Sequence, residues 1–269
     1  MSGVKLFQGD SLELMKDIPD GSVDCIITDP PYGTTDCDWD KIPDLKLFFE
    51  RGFKVLKKNG ALISFSQLPF AVDLINACRK YFRYEIIWHK TNSVGFLNAK
   101  KMPLRCHENI LLFYRHLPVY NPQKKTGKPW KNKKRSGTAD IYTSKRIPSE
   151  NKDGLRYPTD VLHCKNYPLK SMHPTQKPVE LMEWLVKTYT NPGDTVLDCF
   201  MGSGTTGVAC VRNSRKFIGM ELQEKYFEVA KNRIEDEIKK AENHEEWEPF
   251  WNLSTGETNV GGVHLNGEK

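Results

Sequence analysis

The segment Val196-Leu197-Asp198-Cys199-Phe200-Met201-Gly202-Ser203-Gly204-Thr205-Thr206 constrains this chain more than any other. An apolar, strand-like run over Thr195–Phe200 breaks at two glycines and opens directly into a helical stretch over Gly204–Arg212. Glycines at 202 and 204 permit a tight turn and let a ligand approach the backbone closely. The same alternation runs along the chain. Strands are expected at Val4–Gln8, Val23–Thr28, Ala61–Phe65, Tyr84–Trp88, Ile110–Tyr114 and Phe217–Met220. Helices are expected from Ser11, over Leu45–Leu56, Phe70–Tyr81 and Pro178–Tyr189, and from Glu224 to about Asn243, with Asn59-Gly60 as a turn. Alternating strands and helices predict an α/β fold with a doubly wound, mostly parallel sheet.

Between Leu117 and Leu169 the periodicity disappears into Pro, Gly, Lys, Arg, Tyr and Trp. From Asn121 to Lys152 there are ten Lys or Arg against two acidic residues, although the whole chain carries only +6. Such a block fits either a phosphate-backbone binder or a solvated loop. Its aromatics argue against simple disorder. The expected organisation is a catalytic and cofactor-binding domain over 1–116 and 170–250, a basic insertion over 117–169, and a flexible tail over 252–269. Seven scattered cysteines without metal spacing read as reduced thiols, so no metal is expected and the cytoplasm is the default compartment. No stretch approaches the roughly 20 apolar residues of a membrane helix.

Two motifs carry chemistry. Gly202-Ser203-Gly204-Thr205-Thr206-Gly207 fits a dinucleotide turn as well as an S-adenosylmethionine turn, with Glu221 near the position of a ribose-binding acid. Asp198 favours the second reading, because a carboxylate in the crevice suits an ammonium group and repels a pyrophosphate. Asp29-Pro30-Pro31-Tyr32 ends the Val23–Thr28 strand, where prolines cannot continue a ladder. A carboxylate at Asp29 and a rigid carbonyl at Pro30 can accept the two N–H bonds of an exocyclic amine and aim its lone pair. Tyr32 offers a flat face for an extruded base. No Pro-Cys dipeptide supports a covalent cysteine route, and Cys25 and Cys199 read as core.

Together, and in the order catalytic motif before glycine turn, these motifs resemble the β-class DNA amino-methyltransferases, which modify adenine N6 or cytosine N4. The resemblance covers roughly 4–115 and 170–243. It implies a Rossmann-like, circularly permuted methyltransferase fold with S-adenosyl-L-methionine as cofactor. Asp29, Pro30, Pro31 and Tyr32 would be catalytic. Asp10, Thr175, Lys177, Asp198, Phe200, Gly202, Gly204, Thr205, Thr206 and Glu221 would bind the cofactor. Asp at position 29 suggests adenine, with cytosine N4 as the alternative. The insertion would recognise double-stranded DNA, with Lys124, Lys125, Lys128, Lys131, Lys133, Lys134 and Arg135 on phosphates. The resemblance also admits a homodimer and a cognate restriction endonuclease acting separately. A nicotinamide oxidoreductase and a non-catalytic DNA-binding protein are more distant alternatives.

Overall fold

The computed structural model describes residues 3–34, 40–131, 150–166 and 176–243. Thr175, Lys133, Lys134, Arg135 and the expected tail lie outside the described residues. In chain order the strands are β1 (Val4–Gln8), β2 (Val23–Thr28), β3 (Leu56–Ser66), β4 (Phe82–Val94), β5 (Arg105–Tyr114), four two-residue strands β6 (Lys125–Thr126), β7 (Trp130–Lys131), β8 (Glu150–Asn151) and β9 (Leu155–Arg156), then β10 (Val161–Cys164), β11 (Thr195–Asp198) and β12 (Lys216–Glu221). The helices are α1 (Ser11–Leu14), α2 (Leu45–Val55), α3 (Phe70–Ala77), α4 (Val179–Tyr189), α5 (Thr205–Arg212) and α6 (Glu224–Glu242).

Eight strands form one sheet in the order β1-β12-β11-β2-β3-β5-β4-β10, in which only β5 runs antiparallel to its neighbours. β2 shows why. Its Val-Asp-Cys-Ile-Ile-Thr run is apolar on both faces, as a central parallel strand covered on both sides must be. Cys25 and Ile27 enter one core cluster with Ile63, Phe65 and helix α4; Val23 and Ile26 enter the other with Phe48, Phe49 and Phe53 of α2. The one charge in the strand, Asp24, is neutralised by Lys57 at 2.7 Å and accepts from the Thr195 amide at 2.9 Å.

The glycine turn is locked by packing. Gly204 has φ +76°, and a Cβ there would lie 3.0 Å from the Ala230 Cα of α6. One turn into α5, a Cβ on Gly207 would lie 2.7 Å from Phe217 Cε1 and closer still to Ile234 Cδ1, both fully buried.

Several features differ from the sequence expectation. Helix α3, expected to reach Tyr81, ends at Ala77. Asn59-Gly60 does not end an element; it lies within β3 as a bulge, where the ladder passes from Val23↔Leu56 to Cys25↔Ala61. The strands expected at Tyr84–Trp88 and Ile110–Tyr114 are longer, because β4 and β5 extend each other as an antiparallel pair. Within the insertion expected over 117–169, the described residues 124–131 and 150–158 group in a separate compact unit, whereas β10 belongs to the main sheet, registered Val161↔Ile87 through Cys164↔Lys90. In the smaller unit β6 pairs with β9 and β7 with β8, and Gly154 at φ +70° sits against Gly127. Among the described residues no helix is long and apolar enough to cross a membrane.

The close packing of α5 makes a prediction. Gly207→Ala should cost about 1–3 kcal/mol by overpacking, read as a lower urea midpoint at unchanged slope; equal midpoints would mean that α5 can lift from β12.

Candidate active site

The chain winds away in opposite directions from β11 and β2, which are neighbours in the sheet. A crevice must therefore open beyond their carboxyl ends, the usual ligand position in such sheets. Asp198 ends β11, and Thr28 ends β2. The two are joined directly, with the Thr28 hydroxyl donating to Asp198 Oδ1 at 2.8 Å.

Asp198 is buried, and its carboxylate also accepts from the Phe200 amide at 3.1 Å and the Thr206 hydroxyl at 2.5 Å. Burial pushes its carboxyl up to about 6, against these donors. The sequence reading aimed Asp198 at a ligand ammonium. Its hydrogen bonds in the structure instead fasten the glycine turn to β2, while the residue still lines a small cavity with Gln176, Ser203 and Thr205. Gln176 Oε1 in that lining is buried without a partner, an acceptor left over for a donor such as an ammonium group.

A larger cavity of about 380 Å³ adjoins the turn. Asp29, Pro30 and Pro31 line it from one side; Asp10, Phe200, Gly202 and Glu221 line it from the other. Both predicted motifs thus open into one space, of a size expected for a nucleoside-sized ligand. Asp10 serves twice: it caps α1 by accepting from the Leu12 amide at 2.7 Å and faces the cavity. Glu221, at the end of β12, accepts from the amides of Gly202 at 2.9 Å and Gln223 at 2.8 Å, which fixes its orientation. Burial nonetheless pushes its carboxyl up. Leu222 and Tyr226 add apolar walls that sequence reasoning did not single out. An acid at the end of each flanking strand, apolar walls between them and an unpaired buried acceptor fit a nucleoside carrying an amino-acid tail.

The Asp29-Pro30-Pro31-Tyr32 turn is held from behind by Asp40, another residue the sequence did not single out. Asp40 Oδ1 accepts from the amides of Tyr32 at 2.8 Å and Gly33 at 2.9 Å, and its Oδ2 accepts from Thr34 at 2.8 Å. The Tyr32 ring stacks on Phe70 with centroids 5.2 Å apart, and its hydroxyl donates to Asp29 Oδ1 at 2.5 Å.

Lys177, expected to bind the cofactor, lines the small cavity with Gln176 and Asp198. Its buried ammonium is ion-paired with Asp29 Oδ2 and lies 3.4 Å from Glu108 Oε2. Two carboxylates within reach compensate its desolvation better than a solvated ligand group would. Glu108 in turn pairs with the buried Lys90. Thr205 and Thr206 begin α5, with Thr206 on Asp198 and Thr205 within 3.4 Å of Arg233. Cys25 and Cys199 are buried as expected, and burial pushes both thiols up, away from nucleophilic thiolate.

Of the predicted phosphate contacts, Lys124, Lys125, Lys128 and Lys131 are described and exposed. Lys124 lies over the Tyr157 ring at 4.8 Å, and Lys131 is 3.4 Å from Glu150.

Residues 23–232 match the family described as DNA methylase. The chain belongs to the N6/N4 DNA amino-methyltransferases. The DNA adenine methyltransferase YhdJ of Escherichia coli K12 is 32% identical over 255 residues, covering 86% of this chain and 82% of YhdJ. The type II methyltransferase M.HpaI of Haemophilus parainfluenzae is 28% identical, covering 87% of this chain and 75% of its own. The solved M1.HpyAVI–SAM complex superposes with a TM-score of 0.61 at 28% identity, covering 86% of this chain and 98% of that one. The cytosine-N4-specific PvuII methyltransferase shares the fold, with a TM-score of 0.64 at 18% identity over 90% of this chain and 94% of that one. The Rossmann-like, mostly parallel fold is thus the one expected, and the nicotinamide reading of the glycine turn falls away.

The raised carboxyl of Asp198 has a pH consequence. A carboxyl higher in the folded than the unfolded state gives stability that is complete below about pH 4 and lost as pH rises through about 6. Urea unfolding across that window should therefore show a falling component that disappears in Asp198→Asn. Parallel curves for both proteins would contradict the assignment.

Proposed function

We propose that this DNA methyltransferase transfers a methyl group from S-adenosyl-L-methionine to the exocyclic N6 of an adenine extruded from duplex DNA. The observation that carries the reading is the shared cavity: Asp29 and Pro30 line the same space as Asp10, Phe200 and Glu221. Bound there, S-adenosylmethionine supplies a methyl group made electrophilic by its sulfonium. Asp10 and Glu221 stand ready to accept hydroxyl or amino hydrogens of the nucleoside, with Phe200 and Leu222 against its flat and apolar parts. Gln176 and Asp198 offer acceptors for the methionine ammonium. The pairing of Lys177 with Asp29 and Glu108 leaves the methionine carboxylate to backbone amides of the turn and of the α4 entry.

An aromatic amine is a poor nucleophile because its lone pair is delocalised into the ring. Asp29 and the Pro30 carbonyl accept its two hydrogens and favour a pyramidal nitrogen with the lone pair directed at the methyl. Tyr32 stacks on the base, with Phe70 backing its ring. The nitrogen forms its new bond as the methyl leaves sulfur, and its surplus proton passes to solvent water. Asp rather than Ser at position 29 and the likeness to an adenine methyltransferase support adenine over cytosine. In the 124–158 unit, Lys124, Lys125 and Lys128 supply charge for the phosphate backbone. The likeness to type II methyltransferases supports protection of sites that a separate restriction endonuclease cuts.

Incubation with labelled S-adenosylmethionine and unmethylated genomic DNA, followed by digestion to nucleosides, should yield N6-methyladenine. N4-methylcytosine alone would overturn the adenine assignment and keep the site. Asp29→Ala should lower turnover at least 10²–10³-fold, the scale of a lost transition-state hydrogen bond, while cofactor affinity stays within a few-fold. Near-normal turnover in that variant would remove Asp29 from the mechanism. Replacing Lys124, Lys125 and Lys128 with Gln should lower the slope of log K against log salt by roughly three; an unchanged slope would move phosphate binding elsewhere.

A further inference from the structure

From the Asp29-Pro30-Pro31-Tyr32 turn runs a buried chain of alternating charges, of which the proposed reaction uses only the first, Asp29. It passes from Asp29 on the turn after β2 to Lys177 before α4, then to Glu108 on β5 and Lys90 on β4. The side chains of Lys177, Glu108 and Lys90 are 8%, 11% and 10% exposed. Lys90 and Lys177 also lie over the rings of Trp88 and Phe65, at 4.9 and 5.0 Å. Isolated buried charges are costly, and a surplus of cations or anions here would be costlier still. The chain balances with two of each sign.

The two oxygens of Asp29 are not equivalent. Oδ2 is engaged by Lys177, a buried partner. Among the described residues Oδ1 is engaged only by the Tyr32 hydroxyl, which belongs to a half-buried ring on a loop. An amine hydrogen entering the site can displace a hydroxyl far more readily than it can displace a buried ammonium.

We propose that Lys177 and Glu108 are positioning residues for Asp29: Glu108, anchored by Lys90, holds Lys177 against Oδ2, so that Oδ1 is turned outward as the acceptor for the target amino group. In the free enzyme the Tyr32 hydroxyl occupies that seat, and it withdraws when the ring moves to stack on the base. The inference rests on Asp29 being the amine acceptor proposed above.

The arrangement sets a competition. Asp29 must remain a carboxylate to accept. Burial raises its carboxyl, as does the charge of Glu108, while Lys177 and the Tyr32 hydroxyl lower it. Glu108 has two lysines and is held below the usual carboxylate range, although burial opposes this. Lys177 is raised, because Asp29 and Glu108 outweigh its burial. Among the described residues Asp198, across the end of β11, also faces Asp29, and Asp40 bears on the Tyr32 hydroxyl. Lys177 and Glu108 thus act on Asp29 in opposite directions, and a purely structural role would not have that property.

The test is the pH profile of kcat at saturating labelled S-adenosylmethionine and unmethylated duplex, with cofactor affinity measured in parallel by calorimetry. Lys177→Met should move the acid limb upward by about one pH unit or more, with rate recovering at alkaline pH, little change in KM for DNA and cofactor affinity within a few-fold. Lys177→Arg should keep the limb close to that of the wild type. Glu108→Gln should move it downward, and this variant carries the test if Lys177→Met does not fold. Limbs that stay in place while rate falls equally at every pH would overturn the proposal. A weakened cofactor affinity in Lys177→Met with an unmoved limb would also overturn it, returning Lys177 to the cofactor. Wild-type protein that methylates no base would instead defeat the functional reading itself, a result distinct from either.

Discussion

The Asp198 carboxylate ties together two halves of the chain that are far apart in sequence. It receives the hydroxyl of Thr28, 170 positions earlier, together with the Phe200 amide and the Thr206 hydroxyl of its own turn. A buried carboxylate without donors would be strongly destabilising, whereas one with three donors becomes a fixed point. Because Thr28 immediately precedes Asp29, the same oxygen that positions the glycine turn also positions the start of the Asp29-Pro30-Pro31-Tyr32 turn. The order of the motifs along the chain is therefore immaterial to the geometry. What matters is that β11 and β2 are parallel neighbours, registered Val196↔Cys25 and Leu197↔Ile26, so that both turns leave the sheet at one level.

Much of this was legible in the sequence because the relevant segments carry redundant signals. β2 announces itself by β-branched residues and by the two prolines that must end it. The β11–α5 unit does so by an apolar run, a glycine turn and a second apolar run. These signals are local, so reading them required no knowledge of partners. β10 was hidden for the opposite reason. Val-Leu-His-Cys is four residues long, flanked by polar and proline-containing segments, and it becomes a strand only because β4 offers an open edge. Asn59-Gly60 carries a strong turn signal, but it is absorbed as a bulge within a strand that pairs with β2 on both sides of it.

Charged residues separate the legible from the illegible part of the site most clearly. Asp29, Asp198 and Glu221 stand at strand ends beside motifs, where position alone suggests function. Glu108 and Lys90 lie within strands, and a lone charge in a strand reads as solvent-facing. Their partnership depends on the antiparallel pairing of β4 with β5, where Trp88 faces Glu108, and on the approach of the α4 entry. Asp40 is similar: its three amide donors lie six to eight residues back in the chain, and only the folded loop gathers them. The ion pairs of Lys177 were equally hidden, because the buried acids that hold it come from β5 and the turn after β2.

The acids of the cavity differ in how they are held, and the difference fits the roles proposed for them. Asp10 and Glu221 are oriented by backbone amides, and Asp198 by an amide and two hydroxyls. Such donors are part of the scaffold, so the acids stay in place whether or not a ligand is bound, and binding costs little reorganisation. Asp29 is held by side chains: an ammonium on one oxygen and a phenol on the other. In the proposed mechanism Asp29 exchanges one partner for an incoming amine, and such a group cannot have both oxygens fixed by backbone. Nor can it be left unheld, because a rotating carboxylate would lose the alignment on which transfer depends. One rigid partner and one replaceable partner satisfy both demands. The buried cost of the rigid one explains why a second carboxylate and a second lysine lie behind it.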